Sequence, residues 1–234
     1  MKLIVFDFDD TLEDFQPAKH KVAKFLTEYI KKKYNVDNFG NEFNSFEEKQ
    51  LKIGMKTKNY KLYARELWMK SILAKHGIKI TGKEADKLKD FYWKSINRMV
   101  KPMKHAEIVL QTLKKRGYKI ALLTDSDGTK KIKYDRIKIT GILKYFDIIA
   151  YADDLKTTKP DIKFYRYIFR KLKVKPDFMI MVGDKPEFDL KLAKKLGFKT
   201  IWIKHGDWAM KEKKKPGYVD HEIHDLKHIL KFTT

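Results

Sequence analysis

The sequence predicts an α/β fold: a parallel sheet with helices on both faces, interrupted early by an inserted α-helical segment. Three observations carry this. Short, near-continuous apolar runs alternate with helix-periodic stretches from about residue 103 onward. One further apolar run, Lys2 to Phe6, stands alone at the N-terminus. Between them, residues 15–99 are helix-rich and contain no strong strand run. Apolar strands separated by helices need both sheet faces covered, which is the signature of parallel pairing.

Taken in order, Lys2–Phe6 is the first strand. The following segment offers one helix with Phe25, Leu26, Tyr29 and Ile30, and another with Leu62, Leu67, Trp68, Ile72 and Leu73. Met103 to Arg116 is helical, with Ala106, Val109, Leu110 and Leu113 on one face, and Gly117 stops it. Tyr118–Leu123 is a strand, Thr129–Ile139 a helix and Phe146–Tyr151 a strand. Asp161–Leu172 is a helix preceded by Pro160, and Phe178–Val182 is a buried strand. Pro186–Leu196 is a helix closed by Gly197, and Thr200–Ile203 is a strand. Gly206–Pro216 reads as a Lys-rich loop, and Ile223–Leu230 as a short edge strand and helix. The expected organisation is a Rossmann-like core from residues 1–14 and 100–234, with residues 15–99 as a helical cap domain.

The chain has 234 residues, 43% of them hydrophobic, enough to bury a sizeable core. No stretch approaches the roughly 18–20 apolar residues of a membrane span. The opening apolar run is too short for a signal peptide and no membrane partner is expected, while the lack of cysteine fits a cytoplasmic location. Cysteine is absent, which excludes disulfides and thiolate metal sites. The formal net charge is +22, from 53 basic residues of which only six are Arg. That excess suits either nucleic-acid or anionic-membrane binding, or the Lys-rich and Glu-rich surface of a thermophile protein. The lysines are spread along the chain rather than gathered in one arm, which favours the second reading and predicts no nucleic-acid partner. A positive field also attracts small anions. A monomer or weak dimer is expected.

The acids cluster at strand ends. Asp7 and Asp9 follow the first strand two residues apart, so in extended chain they face one side while Phe8 turns to the core. Two crowded carboxylates call for a hard cation with oxygen ligands. In open parallel sheets ligands bind beyond the carboxyl ends of the strands. Thr124 and Asp125 end another strand, Gly183-Asp184 a third, with Asp189 five residues on, and Lys159 precedes Pro160 and a helix. Each has an ordinary reading as a cap, a turn or a surface charge. Their succession at strand ends is not explained by capping alone.

These residues resemble the haloacid dehalogenase superfamily of hydrolases, phosphatase type. Its first motif, Asp-x-Asp-x-Thr after an apolar strand, is met by Asp7, Asp9 and Thr11. The second, a hydroxyl residue ending a strand, is met by Thr124. The third, Lys often followed by Pro, is met by Lys159-Pro160. The fourth, Gly-Asp with a later Asp, is met by Gly183, Asp184 and Asp189. Asp125 departs from the Asn that many members carry. The resemblance implies an aspartyl-phosphate formed on Asp7, with Asp9 as acid and then base. Thr124, Asp125 and Lys159 would bind phosphate, with backbone N–H groups near Phe8 and Asp125 adding donors. Mg2+ would be held by Asp7, by Asp9 through its carbonyl and by Asp184, with Asp189 behind them. Asp9 favours phosphate esters over haloacids, whose dehalogenases need no acid there; a phosphomutase remains open. A P-type ATPase does not fit, because Lys does not follow Asp7. A non-enzymatic basic binding protein is a further alternative. Three other features fit less specific roles: His224 and His228 four apart, the aromatic and basic stretch with Tyr60, Tyr63 and Trp68, and the loop with Trp202, His205 and Trp208.

Overall fold

The computed structural model describes residues 1–173, 175, 177–212 and 214–233. Its centre is a six-stranded sheet, all parallel, in the order β3-β2-β1-β4-β5-β6. The strands are β1 (Lys2–Phe6), β2 (Lys119–Thr124), β3 (Ile148–Tyr151), β4 (Phe178–Gly183), β5 (Lys199–Ile203) and β6 (His221–Ile223). Successive residues of β1 serve opposite faces. Ile4 and Phe6 join Ile120, Leu122, Ile180 and Val182 in one core. Leu3 and Val5 join Ala121, Leu123 and Met181 in the other. Both faces are therefore apolar and covered, which explains the unbroken apolar runs in the sequence. The first core packs on Val109, Leu110 and Leu113, and the second on Phe164 and Ile168.

The helices follow in order: α1 (Phe15–Tyr34), α2 (Phe39–Thr57), α3 (Arg65–Lys75), α4 (Gly82–Asn97), α5 (Ala106–Lys115), α6 (Lys130–Ile139), α7 (Ala152–Leu155), α8 (Ile162–Leu172), α9 (Lys191–Lys195) and α10 (Gly206–Lys211). Helices α1–α4 close around a separate apolar cluster that includes Val22, Leu26, Phe43, Trp68, Ile72 and Tyr92. The apolar residues of these helices divide between the cluster and the surface. Leu26 and Ile30 are buried, but Phe25 and Tyr29 are exposed, and Tyr29 stacks on Phe91 at 5.4 Å. The buried stripe of α1 runs through Ala18, Val22, Leu26 and Ile30, the four-residue row of one helix face. Leu67 is likewise exposed while Trp68, Ile72 and Leu73 are buried, and Leu62 lies in a preceding 3₁₀ turn.

Two connections differ from the sequence reading. Pro186–Leu190 is a π-helical turn that precedes α9, not part of one regular helix. Residues expected as loop form α10, which an ion pair and a polar contact tie to the helical segment: Lys211 to Glu48 at 2.7 Å, and Asp207 beside His20 at 3.6 Å. Residue 213 of that expected loop lies outside the described residues.

The chain runs β1, β2, β3 to one side, then returns to place β4 on the other flank of β1. The carboxyl ends of β1 and β4 thus border the topological switch point, where such sheets form their binding crevice.

Candidate active site

Phe6 pairs in register with Leu122 on one side and Val182 on the other, so the residues just beyond these strands emerge side by side. The Asp7 N–H donates to the Val182 carbonyl at 2.9 Å, which fixes the first acid beside β4. The chain then turns back sharply. The N–H groups of Leu12 and Glu13 donate to the Phe8 carbonyl, and Asp10 takes a left-handed backbone, φ 57°. The Asp10 carboxylate accepts from the Phe15 and Gln16 N–H groups, both at 3.2 Å. This caps α1 and satisfies donors that a helix start otherwise leaves unpaired.

Asp7 is buried against Lys159, whose Nζ donates to Asp7 Oδ1 at 2.5 Å and to Asp189 Oδ1 at 2.8 Å. Carboxylate oxygens of Asp7, Asp184 and Asp189 lie within 4.8 Å of one another. Burial pushes the Asp184 carboxyl well above the usual range, and pushes Asp189 up as well, with Lys159 opposing the latter. Burial alone would discharge Lys159, but Asp189, Asp7 and Asp125 outweigh it and keep the ammonium charged. Lys185 Nζ lies 3.1 and 3.2 Å from the two Asp184 oxygens and 3.9 Å from Asp7 Oδ2. A cation therefore already sits against this triad in the form of a side chain. Asp7 Oδ2 is buried with no hydrogen-bond partner among the described residues. Three oxygen donors, one of them an orphan acceptor, fit a small hard cation.

Local backbone makes this packing possible. A Cβ on Gly183 would stand 2.5 Å from Asp189 Oδ2, so only glycine lets that carboxylate fold against β4. The π turn brings Asp189 back to accept the Lys185 N–H at 3.0 Å. Trp202 is buried on β5 and donates its indole N–H to the Asp184 carbonyl at 3.0 Å. Thr124 is fully buried at the end of β2. Asp125 accepts the Lys159 backbone N–H at 3.0 Å, and burial pushes its carboxyl up to about 6 despite Lys159. The helical segment reaches in through Tyr63, whose hydroxyl meets Thr158 Oγ1 at 3.5 Å.

Asp9 differs from the sequence expectation. Its carboxylate does not share the Asp7 cluster but is held by two cations on α6: Lys133 at 2.7 Å, and Arg136. Burial would raise its pKa, but Arg136 and Lys133 outweigh burial and hold it well below the usual range. Extended-chain alternation does not apply, because the chain leaves β1 at Phe6 and turns.

Sequence reading missed this network. Arg136 also meets Glu13 at 3.3 Å and Asp127 at 3.2 Å, while Lys133 meets Asp127 at 3.1 Å. Three acids thus face two bases in a nearly dry space. Burial pushes Glu13 up to about 8 despite Arg136, so at neutral pH Glu13 carries the balancing proton. A usable signal was present: Arg136 is one of only six arginines, three residues from Lys133 on the helix that follows the Thr124 strand. Because the folded value lies above the free value near 4.5, stability linked to Glu13 is full below pH 4.5 and is lost as pH rises to about 8. Glu13→Gln keeps the neutral form. Its stability relative to wild type is expected to climb across that window by at least about 1.4 kcal/mol, one pKa unit. Guanidinium titrations at pH 5 and pH 9 measure this; a difference that stays constant would refute it.

The other features hold lesser positions. His205 Nε2 meets Asp14 at 3.0 Å, and Trp208 and Tyr63 line a cavity above Asp9, Asp125 and Lys185. Among the described residues, His224 and His228 belong to no group of three candidate metal ligands. No helix among the described residues is long and apolar enough to cross a membrane.

Comparison with known proteins bears on this geometry. The chain is 26% identical to a glyceraldehyde 3-phosphate phosphatase of Pyrococcus furiosus, over 98% of this chain and 92% of that one. It is 28% identical to a glyceraldehyde 3-phosphate phosphatase of Methanocaldococcus jannaschii, over 98% and 96%. Its fold matches the HAD-hydrolase YfnB of Bacillus subtilis, solved bound to magnesium, with a TM-score of 0.77 and 18% identity over 99% of this chain and 98% of that one. The profile of the haloacid dehalogenase-like hydrolases matches residues 4–203, from β1 to the end of β5. That span holds Asp7, Asp9, Thr124, Asp125, Lys159, Asp184 and Asp189, and the chain belongs to this family.

Proposed function

We propose that the protein is a phosphatase that hydrolyses a small phosphate monoester through an aspartyl-phosphate on Asp7. The observation that carries this reading is Asp7 itself: buried, gripped by Lys159 on one oxygen and bearing an orphan acceptor on the other. The full-length relatives named as glyceraldehyde 3-phosphate phosphatases support a short sugar phosphate as substrate. The cavity above Asp9 and Lys185 measures about 70 Å³, far below a drug-sized pocket, which also favours a small ester.

In this reading one oxygen of the Asp7 carboxylate attacks phosphorus, and the P–O bond to the leaving alcohol breaks. Asp9 protonates the departing oxygen, then takes a proton from the water that attacks the aspartyl-phosphate. Lys133 and Arg136 favour ionised Asp9, the form needed as base. For the first step Asp9 must take up a proton and leave them, and both cations have Asp127 to fall back on. Lys159 offsets charge on Asp7 and on the phosphoryl oxygens, and Thr124 and Asp125 border that group. Asp7, Asp184 and Asp189 would hold Mg2+, with the Asp9 carbonyl as a further ligand. The ion would neutralise the repulsion between carboxylate and phosphate. Helices α1–α4 would serve as the cap, residues 15–99, over a core of 1–14 and 100–234.

Phosphate release from p-nitrophenyl phosphate and from glyceraldehyde 3-phosphate tests the reading. Turnover is expected with Mg2+, and EDTA is expected to take it to background until Mg2+ is restored. Mg2+ should also raise the melting temperature, because it relieves three crowded carboxylates. Inactivity on a broad panel of esters with Mg2+ present would overturn the proposal.

A further inference from the structure

The cavity over the site has a second wall, built by the helical segment, that the mechanism does not use. Gln16 and Lys19 lie three residues apart on α1 and so are neighbours on one helix face. Both line the cavity, as do Asp9 and Lys185. Gln16 is only 8% exposed, and its Nε2 donates to Asp10 Oδ2 at 3.0 Å. That bond fixes the amide, and Gln16 Oε1 is left buried with no partner among the described residues. Such an orphan acceptor is costly unless a ligand or water supplies a donor.

Lys19 is held in place from behind. Glu47 is buried between Lys19 at 2.9 Å and Arg65 at 2.9 Å. Arg65 is immobilised in turn: its guanidinium donates to the Tyr63 carbonyl at 2.8 Å and stacks over Trp68 at 4.3 Å and Trp93 at 5.0 Å. Burial would raise Glu47, but Lys19 and Arg65 outweigh it and keep it ionised. Two cations thus share one carboxylate, and the wall presents net positive charge beside a buried, unpaired acceptor.

We propose that Gln16 and Lys19 read the leaving group of the ester, a reading that rests on the phosphatase assignment above. Lys19 Nζ donates to a carbonyl or carboxylate oxygen, and Gln16 Oε1 accepts from a hydroxyl on the neighbouring carbon. The preferred substrates are short phosphates whose alcohol carries a hydroxyl beside a carbonyl or carboxylate. A site built to hydrogen-bond a substrate hydroxyl rejects the analogue that lacks it, because its own buried groups are then left unpaired.

The test compares kcat/KM for glyceraldehyde 3-phosphate, 3-phosphoglycerate and n-propyl phosphate in wild type, Gln16→Leu and Lys19→Met. Wild type is expected to prefer the two oxygenated esters by about 10- to 100-fold, and each substitution to cut that preference by about 10-fold. A larger loss on 3-phosphoglycerate than on the aldehyde in Lys19→Met identifies the carboxylate as the group read; equal losses identify the carbonyl oxygen common to both. Lys19→Met leaves Glu47 paired with Arg65, and thermal melts confirm that each variant is folded. Equal use of all three esters by wild type, or preference unchanged in folded variants, overturns this inference alone. No turnover of any of the three overturns the phosphatase reading, and this inference with it.

Discussion

Asp7→Asn is expected to lower kcat for phosphate release by about 10⁴- to 10⁶-fold, the range seen when a covalent nucleophile is removed. Asn keeps the shape but cannot attack phosphorus, so no phosphoryl adduct should form. An acid-quenched reaction examined by intact mass should show the adduct in wild type and none in the variant. The fold should survive, because Lys159 retains Asp189 at 2.8 Å and so is not left as an unpaired buried cation. Asp7, Asp184 and Asp189 crowd one another within 4.8 Å. Removing one charge should therefore leave the melting temperature in EDTA equal to or above that of wild type. A structural acid would behave in the opposite way, losing stability along with activity. A variant that keeps more than a tenth of the wild-type rate would refute the assignment of Asp7 as nucleophile.

The parallel sheet was legible because burial on both faces forces unbroken apolar runs, and such runs survive in any sequence that builds such a sheet. Ile4 and Phe6 go to one core and Leu3 and Val5 to the other, so every residue of that stretch had to be apolar. The grouping of Asp7, Lys159, Asp184 and Asp189 was visible as polar residues at strand ends, since parallel strands deliver their carboxyl ends to one edge. Three features were not legible. The side chain of Asp9 depends on a turn after β1, with Asp10 at φ 57°, and alternation rules stop at the last strand residue. The partners of Asp9 lie about 125 residues away on α6, and long-range ion pairing leaves no periodic trace. Helix α10 draws on Glu48 and His20 for its contacts, so a local reading of its Lys-rich sequence gives a loop.

Arg136→Met should be the most destabilising of these substitutions, at about 3–5 kcal/mol, the cost of stripping a buried ion network of one partner. For a chain of this size that lowers the melting temperature by about 6–20 °C. The guanidinium is fully buried and meets Asp9, Glu13 and Asp127 at once. It also lies over three rings: Phe8 of the core at 5.4 Å, Phe15 at 4.6 Å and Trp93 of α4 at 5.4 Å. Met replaces much of the packing volume, so what is lost is charge and the cation–π contacts. With Arg136 gone, Lys133 alone faces Asp9 and Asp127, with Glu13 close by. The stranded carboxylates can be relieved only by taking up protons, so the defect should be smaller at pH 5 than at pH 8. A loss caused by packing alone would be the same at both. Lys131→Met supplies the surface control, because Lys131 pairs with Asp135 in solvent and should change stability by less than about 1 kcal/mol. Calorimetric melts at both pH values decide the matter. If Arg136→Met melts within 2 °C of the Lys131→Met control, the network does not hold the helical segment to the sheet. A large, pH-dependent loss would mean that Arg136, one of the two cations that hold Asp9, also ties α4 to the core through Trp93.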